Sequence, residues 1–132
     1  MTKLTSLLHK DTSYSSVSWH SSKVMPGVRF AVRRISLRQR IELNRRVKEL
    51  TIKYDFLRAG DAADRLEAAL SDLLVAKLYL EWGLDEIAGL SIDGQKATPD
   101  LVIAHGPESL SDEMAQFIQA ESALTDDERK NY

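Results

Sequence analysis

The chain is 132 residues long, 43% hydrophobic and 29% charged, which is the size of one domain able to bury roughly two thirds of the surface its unfolded form exposes. It has no cysteine and no apolar run near the ~18 residues a membrane span requires, which excludes a disulfide framework and a transmembrane helix. The net charge of −2 is unevenly spread: Lys23 to Arg58 holds 11 Lys/Arg against 3 Asp/Glu, and Ala59 to Tyr132 holds 5 against 16. Such polarity either offers a basic half to nucleic acid or lets the two halves neutralise each other on folding.

Residues 1 to about 15 are polar and aperiodic, and are expected to form a flexible tail ahead of a single domain over 16–132. The opening "MTKLTSLLHKDTSYSS" is too short and too polar in its middle for a signal peptide, so a cytoplasmic location is expected. Two strands follow. "SVSWHSS" alternates Val17, Trp19 and Ser21 on one side, and "KVMPGVRFAVRRI" alternates Val28, Phe30 and Val32 with Arg29, Ala31 and Arg33. Pro26-Gly27 marks a turn, a bulge or an edge strand, because proline cannot donate to a ladder.

Ser36 with Gln39 three residues on reads as a capping box, opening a helix that should run to about Ala59. Leu43, Val47, Leu50, Tyr54 and Leu57 share one face at helical spacing. A second apolar set, Leu37, Ile41, Ile52 and Phe56, lies elsewhere on the cylinder. The helix is therefore either sandwiched between layers or offers an apolar face to a partner.

Gly60 is a C-terminal stop and Asp61 an N-cap, so the next helix folds back antiparallel, with Leu66, Leu70, Leu73, Leu74 and Leu80 as its apolar stripe. Lys77 falls within that stripe, four residues before Glu81, and reads either as half of a buried ion pair or as a packed stem with its ammonium in water. This second helix should end at Trp82-Gly83.

Ile87, Leu90 and Ile92 are strand-like and are closed by Asp93-Gly94, a tight-turn pair in which both residues tolerate positive φ. Thr98-Pro99-Asp100 supplies N-cap, first helical residue and acidic first turn for a short helix through Ala104. Pro107 is expected to open the next helix as its first residue, with Leu110, Met114, Phe117, Ile118 and Leu124 inward. Thr125 and Glu128 repeat the capping pattern. The fold class is thus α+β and mostly α: an N-terminal β-hairpin, a central antiparallel helix pair, a small β-hairpin and short C-terminal helices.

No chemistry-bearing motif emerges. Gly83, Gly89 and Gly94 match no phosphate-cradling pattern, and Asp85, Glu86, Asp93 and Asp100 lack calcium-loop spacing. His9, His20 and His105 are too far apart to pair as ligands on one helix face, and His20 and His105 are read as surface or cap residues. No serine sits in a nucleophile elbow. No catalytic, cofactor or metal residue is assigned, and the chain is expected not to be an enzyme.

Taken together, "MPGVRFAVRRISLRQRIELNRRVKEL", "LYLEWGL", "GLSIDGQKATPDLVIAHGPESL" and "DDERKN" resemble the tail assembly chaperones encoded among the tail genes of tailed bacteriophages. The resemblance extends from about Ser16 onward and is one of overall pattern. It implies a non-enzymatic helper that binds the tape-measure protein, the tail-tube protein or both, in the cytoplasm of the host. Trp19, Phe30, Ile41, Ile52 and Phe56 are the candidate partner-binding residues, and self-association into a homo-oligomer is admitted. The resemblance also implies a longer form made by a −1 ribosomal frameshift, for which Arg129-Lys130-Asn131 can encode a slippery heptamer. The alternative is a nucleic-acid-binding protein using the basic 23–58 segment, although Arg38, Arg40, Arg45, Arg46 and Lys48 scatter around the helix axis.

Overall fold

The computed structural model of the chain describes residues 11–122. Expectations placed on the first ten residues, on Leu124, on the Thr125/Glu128 cap and on Arg129-Lys130-Asn131 lie outside the described residues. Strands β1 (Val17–Ser21) and β2 (Arg29–Arg33) pair antiparallel, with Trp19 opposite Ala31 and His20 opposite Phe30. The Pro26-Gly27 segment is the turn between them, and Gly27 has φ 91°.

Helix α1 (Leu37–Asp55) begins at the capping box. Ser36 Oγ accepts from Gln39 N at 3.2 Å, and Gln39 Oε1 accepts from Ser36 N at 2.9 Å, so two of the donors a helix start leaves free are satisfied. A 3₁₀ turn (Phe56–Ala59) follows it. Asp61 caps helix α2 (Ala62–Gly83) by accepting from Asp64 N at 2.9 Å, and α2 returns along α1.

Directly after α2 comes β3 (Leu84–Ala88), which pairs antiparallel with β2 and turns the N-terminal hairpin into a three-stranded sheet in the order β1-β2-β3. The sequence pattern joins Ile87 to Leu90 and Ile92 in one small hairpin. In the fold these residues divide. Ile87 sits opposite Phe30 in the large sheet, and only β4 (Ser91–Ile92) and β5 (Gln95–Lys96) form the hairpin. Asp93 (φ 50°) and Gly94 (φ 80°) both take the left-handed conformation its turn requires.

Gly89 is where the two sheet turns meet. Its φ is +78°, and a Cβ there would run into the carbonyl oxygen of Gly27. Gly89→Ala therefore combines an unfavourable φ with a backbone collision, and is expected to cost about 2–3 kcal/mol in urea unfolding. A variant as stable as the parent would mean that the two turns do not approach each other this closely.

Thr98 Oγ1 accepts from Leu101 N at 3.2 Å and opens α3 (Pro99–His105); α4 (Glu108–Ser122) follows. Pro107 lies one residue outside α4 rather than on its first turn. The inner face of the sheet packs Val28, Phe30, Val32, Leu84 and Ile87 into one core with Leu43 of α1, Tyr79 and Leu80 of α2, Val102 of α3, and Leu110, Met114 and Ile118 of α4. The fold is α+β and mostly α.

Three placements differ from the sequence expectation. Phe30 is 2% exposed and belongs to this core, because β2 is the central strand and its alternate residues are covered by helices, so it is no surface anchor. Among the leucines assigned to the inward stripe of α2, Leu80 is buried, whereas Leu66, Leu70, Leu73 and Leu74 are exposed. The helix turns Ala68, Ser71 and Val75 inward instead, and Ser71 Oγ bonds Ala68 O at 2.7 Å while accepting from Arg58 Nη2 at 3.1 Å. Small inward residues suit close helix approach, and the bulky leucines are carried round to solvent. Lys77 is exposed as well, which rules out the buried ion pair.

His20 is the third. It is half-buried, its ring centroid 4.1 Å from that of Phe117 and 5.9 Å from that of Phe30, with Nε2 2.8 Å from Ser18 Oγ. It thus fills the seam between β1 and α4.

A candidate groove between three helices

Both α1 and α4 pack on α2, and an open trough of about 950 Å³ lies among the three helices. Its α1 wall presents Ile41, Asn44, Arg45, Val47, Lys48, Thr51 and Ile52. The α2 side contributes Asp72, Val75, Ala76 and Tyr79, and α4 contributes Asp112, Ala115, Gln116 and Gln119. The apolar residues Val75, Ala76, Tyr79 and Ala115 are recessed, whereas Ile41 and Ile52 are exposed along the wall.

One end of the trough is tied. Asn44 Nδ2 donates to Ser122 O at 2.9 Å and Arg40 Nε donates to the same oxygen at 3.2 Å. Ser122 is buried, so these bonds satisfy a carbonyl that the end of a helix leaves without an intrahelical partner. From Ile41 to Ile52 the α1 wall extends about 16 Å at the helical rise, enough for three turns of a bound helix.

The polar residues around the trough differ in sign from side to side. Arg45 and Lys48 stand on α1; Asp72 and Asp112 stand on α2 and α4. Thr51 Oγ1 is already bonded to Val47 O at 2.9 Å, and among the described residues no buried side-chain polar atom lacks a partner. A small-molecule site ordinarily aims a few polar groups at its ligand. This trough instead sets the apolar Ile41, Val47, Ile52, Val75, Ala76, Tyr79 and Ala115 among Asn44, Thr51, Gln116 and Gln119 and the charges just named.

The candidate partner-binding residues do not converge. Ile41 and Ile52 line the trough; Phe56 lies beyond it in the 3₁₀ turn, 72% exposed. Trp19 is on the outer sheet face with the Arg29 guanidinium 5.1 Å from its ring centroid, and Phe30 is in the core. The sequence reading missed Val75, Ala76, Tyr79 and Ala115. Their signal is the small residues of Val75-Ala76 and Ala115, which recess the floor between larger neighbours.

The basic segment is dispersed and partly paired. Arg33 meets Asp85 at 3.1 Å on the sheet, Glu42 serves both Arg45 at 3.4 Å and Arg46 at 3.6 Å, and Arg58 bridges Asp55 and Asp72 at 3.3 and 3.5 Å. Among the described residues no group of three or more His, Asp or Glu is placed to hold a metal ion, and no helix is long and apolar enough to cross a membrane.

Glu113 secures the frame on the other side of α4. Its carboxylate accepts from Ser22 Oγ at 2.6 Å, Lys23 N at 2.7 Å and Val24 N at 3.4 Å, binding the β1–β2 turn to the helix. Burial acts to raise its pKa, but the Ser22 hydroxyl, the two N–H groups and the Lys23 ammonium outweigh that and hold the carboxyl below its ordinary value of 4.5. A depressed carboxylate stabilises the fold above its unfolded pKa, and that contribution is lost as pH falls through the lower folded value. Glu113→Gln should therefore cost about 1 kcal/mol at neutral pH, a figure discounted for partial exposure, and the gap to the parent should narrow in acid below pH 4.5. Urea titrations at several pH values measure it; a gap that is constant or widens in acid would contradict the assignment.

No family model, no curated protein and no solved structure matches this chain.

Proposed function

We propose that this protein is a non-enzymatic binding module that holds an apolar helix of another protein in the trough between α1, α2 and α4, acting as a phage tail assembly chaperone with the tape-measure protein as its partner. The observation that carries this reading is the trough itself: about 950 Å³, open along three turns of helix, with Ile41 and Ile52 on its wall and Val75, Ala76 and Tyr79 on its floor. An amphipathic helix inserts residues at i, i+3, i+4 and i+7 into such a groove. The separation of Lys48 on α1 from Asp112 on α4 adds direction, favouring a helix with an acidic residue toward α1 and a basic one toward α4.

A tape-measure protein is long, helical and apolar, and it needs its exposed seams covered until a tube forms around it. Shielding requires many weak, similar contacts and no chemistry. The resemblance of "GLSIDGQKATPDLVIAHGPESL" and its neighbours to tail assembly chaperones supplies the class of partner. Tail-tube subunits are the other partner that resemblance implies.

The test is fluorescence anisotropy with overlapping helical peptides tiled across the tape-measure protein encoded in the same genome. A few adjacent peptides should bind and compete with one another. Failure of every peptide, or a genome without a tape-measure gene, would overturn the proposal. Duplex DNA binding that weakens on the order of a thousandfold between ~50 and 200 mM salt would replace it with a nucleic-acid function.

A further inference from the structure

The leucines that α2 turns to solvent form a second apolar surface, separate from the trough. Leu66, Leu70 and Leu73 are 69, 41 and 54% exposed and recur at spacings of four and three, with exposed Lys77 next in the same series. At 100° per residue these four positions fall within a sector of about 60°, about 60° from Ala76 and about 100° or more from Asp72, Val75 and Tyr79, which face the trough. Alternating four-three spacing is the seam of a two-helix coiled coil, with Lys77 as a single polar residue in it. Among the described residues, neither Lys77 nor Glu67, which flanks Leu66, takes part in an ion pair.

We propose that a second copy of this chain covers this stripe, with α2 against α2 in antiparallel register about a two-fold axis passing between Leu70 and Leu73. The charges select both the occupant and the direction. A parallel pair would set Lys77 against its own copy, two like charges in an apolar seam. The antiparallel pair sets Leu70 against Leu73 and brings each Lys77 beside Leu66 and Glu67 of the other copy, so two unpaired cations meet two unpaired anions. The contact is isologous, and it closes at two copies. It also leaves the trough of each copy open. The dimer would present two helix-binding grooves to a long partner and gain from bivalency.

The area sets the strength. The stripe covers on the order of a few hundred Å², the size at which exposed apolar surface marks an interaction site but short of the ~800 Å² per partner of a standard interface. The dimer is accordingly weak and reversible.

Sedimentation velocity of the full chain over a wide concentration range tests this. The parent should pass from monomer to dimer as concentration rises, and Leu70→Glu should remain monomeric with an unchanged circular dichroism spectrum. Glu67→Lys and Lys77→Glu should each weaken the dimer by about tenfold, and the double exchange should restore it to within about twofold of the parent. Restoration cannot arise inside one chain, because ten residues of helix hold the two side chains about 15 Å apart. A parent that stays monomeric throughout, with the stripe then belonging to a different protein, overturns the proposal. So does a dimer that the single exchanges leave unchanged or that the double exchange does not rescue. Since none of these residues lines the trough, peptide binding should persist in the monomeric variant, which separates failure of the dimer from failure of the groove.

Discussion

Replacing Ile41 and Ile52 together by glutamate should weaken peptide binding by about 100-fold or more, while the thermal unfolding of the free protein stays within a few degrees of the parent. The two residues are exposed in the free chain and line one wall of the trough. Their substitution removes little from the core, and exposed positions usually change stability by about 0.5 kcal/mol or less. In the complex the same carboxylates would be buried against an apolar helix without partners, and losing two central anchors typically costs about 2 kcal/mol or more each. Anisotropy and calorimetry on the same preparation measure both quantities. Unchanged affinity would move the binding surface away from α1, and loss of folding would mean that the wall is core.

The second large effect separates two phenylalanines that sequence reasoning placed in one group. Phe30→Asp should unfold the domain or lower its melting temperature by more than about 15 °C. An uncompensated charge in the sheet core costs several kcal/mol against a total stability of about 5–15 kcal/mol. Phe56→Asp should leave the fold intact, since the residue is 72% exposed and lies outside the core cluster. Circular dichroism melts of the two variants decide the matter. A stable Phe30→Asp protein would contradict the central position of β2.

The contrast shows what local chemistry conveys and what it does not. Capping and turn signals act within four residues, and they were legible: the Ser36/Gln39 box, the Asp61 cap, the two positive φ angles at Asp93-Gly94 and the Thr98 cap all form as their residue types dictate. The inner face of α1, with Leu43 buried and Val47 half-buried, was legible from spacing alone. So was its outer set. Whether Ile41 and Ile52 would be sandwiched or left for a partner depends on where α4 lies, and that is fixed by contacts distant in sequence, such as Asn44 with Ser122.

The strand at Ile87 was assigned to the small hairpin instead of the large sheet for the same kind of reason. Leu84-Asp85-Glu86-Ile87 carries little alternation, and β3 forms because β2 has an open edge beside the end of α2. On α2 the spacing of the leucines correctly indicated an apolar stripe, but spacing cannot state which side of a helix faces inward when another side bears Ala68 and Ser71. Helix approach decided it, and approach is steric. The floor of the trough was hidden similarly, since Val75, Ala76 and Ala115 gain significance only when three helices are set around them.

The most direct test of the account is to locate a bound tape-measure peptide by amide chemical-shift mapping on the full-length protein. Saturating peptide should perturb amides of Thr51 on α1, Ala76 on α2 and Gln116 on α4 together, with Trp19 and Arg29 on the outer sheet face unaffected. Perturbations confined to the outer sheet face or to Leu66 and Leu70, or a spectrum unchanged by every peptide of the series, would contradict it.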